Sequence, residues 1–344
     1  MMLSAEDLEL LHALQIAPRA PWSSIAPVLG RHPATLASRW SRLTETGSAW
    51  VTAALSGRPE QTCLAFIDVE CSPSTTATAI ETFCQDTRVS SVIETSDSWE
   101  LQLTVLTLEW LELVRSVLPW IQSVPGVLRT RLRVTTAMHI RGGHLRLDVL
   151  DRVQAAELAQ LKMTADRPAA IAPSDLPAIL GVLAHDGRAT AREIAAATGM
   201  HPTTAGRHLT AVVRMGLVDF RCEVAQALVG YPISCQWFVR ASPAAIPQTL
   251  TFLNAHRTLR FCAEVSGDAN LTFMLYLQRP ADIAEFEARL LRTVPELRVV
   301  DSALVVRTHK MVGWRIREDS STGGPVVGPA GGAFTAVGSW KHGS

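Results

Sequence analysis

A stretch of 23 residues occurs twice in this chain, with the copies 169 positions apart. Residues 25–47 read IAPVLGRHPATLASRWSRLTETG, and residues 194–216 read IAAATGMHPTTAGRHLTAVVRMG. The copies share their first isoleucine, the glycine of a turn, a His-Pro pair and the final glycine. An internal repeat predicts that one structural unit is present twice, and it divides the 344 residues into two halves.

Each copy is typical of a helix-turn-helix, in which a second helix can enter the major groove of DNA. Pro33 suits the first position of that helix, and Gly47 suits its end. Leu36, Trp40 and Leu43 recur at helical spacing, so this face is expected to pack inward. The corresponding inward face of the second copy is predicted to consist of Ala205, Leu209 and Val212.

The opposite faces are predicted to contact DNA, because arginine can pair with guanine or bind phosphate and hydroxyl groups can do either. The predicted DNA-binding residues are Thr35, Ser38, Arg39, Arg42, Thr203, Thr204, Arg207, His208 and Arg214. Residues 19–47 and residues 188–216 each contain four arginines and one glutamate, 4 − 1 = +3, in a chain of zero net charge. Local basic patches on a neutral protein favour a specific DNA-binding protein over a general polycation.

Composition and motifs argue against several other classes of protein. The chain is 47% hydrophobic and 19% charged, which is enough apolar residue for real cores. Its six cysteines have neither CxxC nor metal-type spacing, so we expect reduced thiols and no metal site. No catalytic motif, cofactor, signal peptide or membrane span is recognisable, and the expected location is the cytoplasm.

A different periodicity follows each helix-turn-helix. In both halves the order strand, helix, strand, strand, helix, strand predicts a ferredoxin-like βαββαβ domain, with helices on one face of an antiparallel sheet. The predicted fold class is therefore α+β, with two tandem winged helix-turn-helix domains. The predicted segments are 1–57 and 174–227 for the helix-turn-helix domains, 60–138 and 230–312 for the βαββαβ domains, 139–173 for a helical linker, and 313–344 for a disordered tail.

This arrangement resembles the Lrp/AsnC family of bacterial transcription regulators. The resemblance lies in the pattern IA-x(3)-G-x-HP-x-T and in the phrase VSGDANL at residues 265–271. It implies a RAM-type effector domain related to the dimeric α-β barrels, double-stranded DNA as the partner, and a homo-oligomer, dimeric or higher. It also implies an amino-acid effector, for which the candidate residues are Asp97, Gly267, Asp268 and Asn270. The two sheets are expected to pair either within one chain or between chains.

The two copies depart from the family in different ways. His32 and His201 stand where the family has a capping serine or threonine. The positions of Arg39 and Arg42 are taken by histidine and alanine in the second copy, so weaker DNA binding or another half-site is expected there. The loop around Asp97 in the first copy lacks the glycine that the second copy has at Gly267. An effector response is therefore expected in the second copy.

Two other interpretations remain open. The siroheme decarboxylases resemble the same architecture but are enzymes of haem biosynthesis. Such a function needs histidines and arginines that converge on a porphyrin, whereas His139, His144, His256 and His309 are scattered. A protein that assembles on DNA without sensing an effector is the third possibility. The sequence thus favours a regulator and predicts no enzymatic activity.

Overall fold

The computed structural model describes residues 3–55, 62–141, 147–161, 175–215 and 218–328. The first half contains α1 (Ala5–Ile16), α2 (Trp22–Leu29), α3 (Pro33–Glu45), β1 (Ala49–Leu55), β2 (Cys63–Cys71), α4 (Thr76–Gln85), β3 (Val89–Thr95), β4 (Leu101–Thr107), α5 (Trp110–Glu112), a π-helical turn (Leu113–Val117), α6 (Leu118–Ser123) and β5 (Val127–Ile140). The second half contains α7 (Arg152–Gln160), α8 (Leu176–His185), α9 (Ala191–Thr198), α10 (Pro202–Met215), β6 (Val218–Val224), a 3-10 turn (Gln226–Val229), β7 (Ile233–Arg240), α11 (Ile246–Asn254), β8 (Leu259–Val265), β9 (Leu271–Leu277), α12 (Ala281–Thr293), β10 (Arg298–Met311) and β11 (Trp314–Arg315). The fold is mixed α/β.

Local sequence explains where the first helices begin and end. Ser4 and Asp7 form a reciprocal capping box at the start of α1. Gly30 ends α2 in the left-handed region, at φ +61°, and Pro33 begins α3. The apolar face of α3 is buried, as the spacing of its leucines and tryptophan predicts. These helices share a core with α7, which packs against α1 and α2.

The strands that follow the two helix-turn-helix units pair with each other. β1 and β6 form a two-stranded antiparallel ribbon from Ala49↔Val224 to Leu55↔Val218. The sequence suggested a separate wing for each unit, but the observed ribbon is shared by both. The two helical units are therefore joined by main-chain hydrogen bonds as well as by the chain itself.

Eight antiparallel strands close into a barrel. Around it the order is β10-β3-β4-β2-β5-β8-β9-β7, and β7 pairs back with β10. The two halves meet at β5 with β8 and at β10 with β3, which are equivalent junctions. Of the two arrangements considered from the sequence, pairing within one chain is the one observed.

Side chains of each strand alternate between the helical layers and the barrel interior. Ile67 of β2 belongs to the core under α4 and α6, and Trp237 of β7 belongs to the core under α11 and α12. Phe66 of β2 points inward instead and stacks on Phe261 of β8, with 5.3 Å between the ring centroids. The barrel interior is thus a space shared by the two halves.

The segment after the barrel is partly ordered, which corrects the prediction of a disordered tail over 313–344. Trp314 of β11 pairs with Met311 in a hairpin, and its ring lies 6.0 Å from that of Trp50 in the ribbon. Thr322 N–H donates to Gly47 O at 2.9 Å, immediately after α3. This part of the tail therefore connects the barrel to the first helical unit, while residues 329–344 lie outside the described residues.

The predicted linker over 139–173 includes the end of β5 and helix α7. His12 Nδ1 on α1 accepts hydrogen bonds from the N–H groups of Val149 and Leu150, so this segment docks on the first helical unit. Residues 142–146 and 162–174 lie outside the described residues. Among the described helices, none has the length and apolar character needed to cross a bilayer.

Candidate nucleic-acid interface and barrel cavity

Helix α3 presents Thr35 and Ser38 on its exposed face, where the sequence placed them. His32 replaces the usual capping hydroxyl residue, and its Nδ1 accepts from Ala34 N–H at 3.3 Å. The imidazole therefore caps the helix. In this orientation the outer face of α3 remains open to a partner.

The arginines of α3 are held by carboxylates of α1. Arg39 forms ion pairs with Glu6 and Asp7, and Arg42 Nη2 lies 2.6 Å from Asp7 Oδ1. Burial alone would raise the pKa of Asp7, but the Ser4 N–H and the Arg42 guanidinium hold it below its usual value. Asp7 is thus ionised at neutral pH, and it balances positive charge that the sequence assigned to DNA binding.

Helix α10 presents Thr203, Arg207 and Arg214 as exposed residues and Thr204 as partly exposed. These four lie where the sequence predicted them. His208 does not, because its side chain is buried, with a relative exposure of 3%. The outer face of α10 therefore consists of hydroxyl and guanidinium groups without the imidazole.

The burial of His208 has a geometric cause. The buried stripe of α10 runs through Ala205, His208 and Val212, at i, i+3 and i+7, whereas Leu209 remains partly exposed. Nδ1 of His208 lies 3.6 Å from Asp175 Oδ2, next to the start of α8. The prediction placed Leu209 in the buried stripe where the structure has His208. His208 therefore packs inside the unit and cannot contact a base.

The arginines of the second unit lack the carboxylate partners found in the first. Across the described residues, no carboxylate lies within ion-pair distance of Arg192, Arg207 or Arg214. Helix α8 contains no acidic residue, whereas its counterpart α1 supplies Glu6 and Asp7 to α3. The sequence predicted weaker DNA binding by the second copy. Among the described residues, however, it is the second copy whose outward arginines have no carboxylate partner.

A cavity of about 170 Å³ lies inside the barrel, next to the β1–β6 ribbon. Phe66 and Gln102 line it from the first half of the barrel, and Ala53 lines it from the ribbon. Ala184 of α8 also contributes. The cavity thus touches the barrel, the ribbon and the second helical unit. Its cationic lining residues are Arg141, Arg221, Arg260 and Lys310.

Two carboxylates form ion pairs with three of these cations. Arg260 Nη1 lies 2.6 Å from Glu223 Oε2. Asp219 Oδ2 lies 3.1 Å from Arg141 Nη1 and 3.7 Å from Arg221 Nη2.

Lys310 directs its ammonium group toward the C-terminal end of α4, whereas Gln236 keeps unused hydrogen-bonding capacity at the cavity wall. Lys310 is fully buried, and its Nζ donates to Asp86 O at 2.8 Å. Burial lowers the pKa of Lys310 to about 8, so the ammonium form still predominates at pH 7. Gln236 is also fully buried, and its Nε2 donates to Thr272 Oγ1 at 3.0 Å. Within the described part of the chain, Gln236 Oε1 has no donor.

Asp97, the candidate effector residue of the first half, lies in the β3–β4 loop beside β10. Its Oδ1 accepts from Trp99 N–H at 2.8 Å. Burial raises the pKa of Asp97, and the neighbouring carboxylates of Asp301 and Asp68 add to this effect. Asp97 therefore stabilises its own loop.

The other effector candidates lie in the β8–β9 loop beside β5, so the structure does not bring them together with Asp97. The carbonyls of Gly267 and Asp268 accept from Arg240 Nη1 at 3.0 and 3.2 Å. Asn270 exchanges two side-chain hydrogen bonds with the backbone of Ala241. These contacts build the turn, and none of the four candidates is among the residues that line the described cavity.

The histidines considered for a porphyrin site are dispersed. His139 and His309 occupy equivalent positions on β5 and β10, and each faces a glutamate, at 2.6 and 2.9 Å. His256 packs against the rings of α11 and α12. His144 lies outside the described residues. The described histidines therefore do not converge on one site.

Thiols and metal ligands form no centre in the described ranges, where no group of three or more His, Cys, Asp or Glu side chains could hold a metal ion. The cysteines are free. Burial raises the pKa of Cys84 to about 11, and that of Cys71 also to about 11, so both are protonated thiols at neutral pH. Their packing is that of small apolar side chains.

Comparison with known proteins gives a local match for the second helical unit. Residues 178–221 match the family model described as the IclR helix-turn-helix domain. No curated protein matches the chain. The matched segment spans α8, α9, α10 and part of β6, and it includes the unpaired arginines of α10.

Among solved structures, the siroheme decarboxylase NirDL is similar over nearly the whole chain. It is 12% identical with a TM-score of 0.57, and the alignment covers 90% of this chain and 93% of NirDL. The chain shares its fold with NirDL. A second NirDL structure, in complex with an iron-uroporphyrin III analogue, gives the same identity and TM-score over 89% and 92%. E. coli AsnC, at 16% identity and a TM-score of 0.38, covers 43% of this chain and 99% of its own length.

The prediction that this chain is not an enzyme is overturned by the similarity to NirDL. The fold that spans 90% of the chain is found in an enzyme, and it includes the closed barrel as well as the helical units. The sequence missed the cavity residues because Arg221, Arg260 and Lys310 come from three distant strands. Each of these strands also contains other charged residues, so the sequence carries no local signal that singles out these three.

Proposed function

We propose that this chain is a DNA-binding transcription regulator of the Lrp/AsnC type, and that α10 is its main DNA-reading helix. The observation that supports this most directly is the pair of exposed arginines, Arg207 and Arg214, that have no carboxylate within ion-pair distance in the described residues. Phosphates can bind such cations without first displacing a protein carboxylate. The match of this segment to a helix-turn-helix family model supports the same role.

The first helical unit then serves mainly to position the second. Its Arg39 and Arg42 already pair with Glu6 and Asp7, so DNA must compete with buried or half-buried carboxylates for them. The shared ribbon fixes the first unit relative to the second. We infer that the two halves arose as tandem copies, and that their charges then diverged.

Duplex DNA of random sequence, titrated over a range of salt concentrations and followed by fluorescence anisotropy, tests this assignment. Replacing both Arg207 and Arg214 by Ala is expected to lower the slope of log K against log salt by about two, since each phosphate contact contributes about 0.9. Arg39→Ala is the matched control and is expected to change the slope by less than half as much. Selection of a preferred sequence from a random pool would then identify the operator.

An unchanged slope in the double variant, or an equal loss in Arg39→Ala, contradicts the assignment to α10. The double variant must keep the melting temperature of the wild-type chain for the comparison to hold. Both arginines are exposed, so their replacement is expected to leave stability within about 0.5 kcal/mol. The amino-acid effector at Gly267 and Asp268, and association between chains, remain predictions.

A second candidate is a decarboxylase that acts on a carboxylate-bearing substrate. Two observations favour it: the whole-chain likeness to siroheme decarboxylase NirDL, and the cationic lining of the barrel cavity. A uroporphyrin is much larger than a cavity of about 170 Å³, so the barrel or ribbon would have to open to admit one. Titration with iron-uroporphyrin III, followed by visible absorbance and carbon dioxide release, separates this candidate from a regulator.

A further inference from the structure

The barrel cavity lies between two walls that the internal repeat makes equivalent. Cys63 begins β2 and Ile233 begins β7, 233 − 63 = 170 positions later, and the same offset relates β3 to β8 and β5 to β10. Strands β2, β5 and β8 are neighbours on one side of the barrel, and β7, β10 and β3 are neighbours on the other. We call these two groups of strands the first wall and the second wall.

The first wall presents apolar side chains to the cavity. These side chains are Leu64, Phe66, Met138 and Phe261. The rings of Phe66 and Phe261 are stacked, with 5.3 Å between their centroids and 13° between their planes. Arg260 also lines the cavity from this wall, but its guanidinium pairs with Glu223 of the ribbon. The first wall therefore offers a flat aromatic surface.

The second wall presents polar side chains at the equivalent positions. The counterparts of Leu64, Phe66, Met138 and Phe261 are Ser234, Gln236, Thr308 and Ser91, and all of them line the cavity. The register places Thr308 opposite Ile93, which also lines the cavity, whereas Lys310 lies opposite Val92 of the outer core. Thr308 thus points inward, and the cavity is apolar on one side and polar on the other.

Two groups of the second wall have unused hydrogen-bonding capacity. Gln236 Oε1 is buried and has no donor in the described part of the chain, although Gln236 Nε2 is fixed by Thr272. The side chain of Thr308 makes no hydrogen bond with any described residue. A buried acceptor without a donor costs free energy, so the polar wall favours an occupant that carries a hydrogen-bond donor.

Arg221 adds a cation at the ribbon end of the cavity. Phe220 and Cys222 pack into the helical core, so Arg221 between them points toward the barrel. Arg221 Nη2 lies 3.7 Å from Asp219 Oδ2, which is too far for a hydrogen bond. Within the described residues the guanidinium of Arg221 donates no hydrogen bond. Its planar set of N–H groups is suited to a carboxylate, which it can bind through two parallel hydrogen bonds.

We propose that the barrel cavity binds a small aromatic carboxylate. Its ring lies against Phe66 and Phe261, its carboxylate pairs with Arg221, and a hydroxyl group on the ring donates to Gln236. A cavity of about 170 Å³ holds on the order of ten non-hydrogen atoms, which is the size of a substituted benzoate. This inference goes beyond the proposed DNA binding and does not depend on it. The occupant contacts both the ribbon and the barrel.

Four carboxylates test the recognition by isothermal titration calorimetry on the full chain without DNA. They are benzoate, cyclohexanecarboxylate, meta-hydroxybenzoate and para-hydroxybenzoate. Benzoate is expected to bind about threefold more tightly than cyclohexanecarboxylate, because aromatic rings gain from contact with one another beyond the area that they bury. The tighter of the two hydroxybenzoates is expected to exceed benzoate by about fivefold, the value of one hydrogen bond.

Three variants test the named residues. Arg221→Met is expected to weaken benzoate binding by about tenfold or more. Arg289→Met removes the same charge from an exposed site on α12 and is the matched control, so it should leave binding unchanged. Gln236→Leu is expected to bind the hydroxybenzoates no more tightly than benzoate, because it removes their acceptor. Circular dichroism and the melting temperature show whether each variant is folded.

The proposal is overturned if none of the four carboxylates gives heat with the wild-type chain, if cyclohexanecarboxylate binds as tightly as benzoate, or if neither hydroxybenzoate exceeds benzoate. Unchanged benzoate binding in Arg221→Met also overturns it. If Arg221→Met does not fold, the Gln236→Leu comparison decides: a hydroxybenzoate preference that persists in that variant contradicts the proposal. Loss of DNA binding in the α10 variants has no bearing on these titrations, so the two proposals fail separately.

Discussion

Arg19 and Arg188, which are 169 positions apart, bind each other's loops. Arg19 Nη2 donates to Ala189 O at 2.8 Å, and Arg188 Nη2 donates to Ala20 O at 2.9 Å. Each guanidinium also donates to a second carbonyl two residues earlier in the opposite loop. The two arginines are thus related by the local twofold of the ribbon. Both had been counted among the positive charges available to DNA, but they are structural.

Arg188→Met is expected to destabilise the chain by roughly 2–4 kcal/mol, because the variant leaves the carbonyls of Pro18 and Ala20 without their charged donor. It also removes the guanidinium that lies 3.8 Å from the ring centroid of Trp22. Urea unfolding measures the loss. Arg192→Met, at an exposed position of the same region, is the matched control and should stay within about 0.5 kcal/mol.

Glu6→Gln is expected to strengthen DNA binding by the first helical unit. The carboxylate of Glu6 pairs with Arg31 and Arg39, so its removal releases positive charge toward phosphate. Affinity for random duplex DNA should rise a few-fold, and the salt slope should steepen by up to about one. Glu285→Gln on α12 removes the same charge from an exposed site on the barrel and should change neither. Equal effects of both variants would show that only total charge matters.

Gly47→Ala is expected to be more destabilising than Gly30→Ala. Both glycines have a positive φ, +68° and +61°, so each substitution costs roughly 1–2 kcal/mol of backbone strain. An added Cβ has open space at Gly30 but meets the backbone of Thr322 at Gly47. Gly47→Ala must therefore also displace the ordered part of the tail. Thermal unfolding gives the difference, and equal melting temperatures would mean that the Thr322 contact contributes nothing.

Stability is expected to rise between about pH 8 and pH 10.4 because of Lys310. Burial lowers the pKa of Lys310 to about 8 in the folded chain, against about 10.4 when unfolded, so the unfolded state binds more protons in this range. Cys84, Asp86 and Arg315 also face this ammonium group. The Lys310 contribution is complete above the unfolded pKa and is lost as the pH falls through about 8. It amounts to roughly 3 kcal/mol.

Lys310→Met provides the comparison for that pH dependence. The difference in unfolding free energy between the wild-type chain and this variant isolates Lys310 from other groups that titrate at alkaline pH. The unfolding free energy of the wild-type chain, minus that of the variant, should increase between pH 8 and pH 10.4. A difference that stays constant across this range would show that Lys310 is not desolvated in the folded chain.

Sequence periodicity predicted the elements whose pattern is local. The order strand, helix, strand, strand, helix, strand occurs in both halves, because strand alternation and helical stripes determine it without reference to the rest of the chain. The strands β5 and β10 are longer than the other described strands and extend to Ile140 and Met311. Each pairs with a strand of the other half as well as with its own, and single-segment patterns carry no trace of that pairing.

The candidate sites also depend on contacts between distant segments, which sequence spacing does not show. The spacing on α3 and α10 identified the outward threonines, but not that Glu6 and Asp7 would neutralise Arg39 and Arg42 from a different helix. His208 was misplaced because a stripe at i, i+3 and i+7 and one at i, i+4 and i+7 fit the same residues equally well. The cavity needed barrel closure to bring Gln102 and Gln236, from the two halves, to one space, which no linear motif records.

Closure of the barrel within one polypeptide changes how the protein behaves at low abundance. A protein built from two separate subunits loses its pair of helix-turn-helix units when it is diluted below its dissociation constant. Here both units stay together at any concentration, so even a few copies per cell retain both. Each unit was also free to acquire mutations that a symmetric homodimer would have had to accept twice.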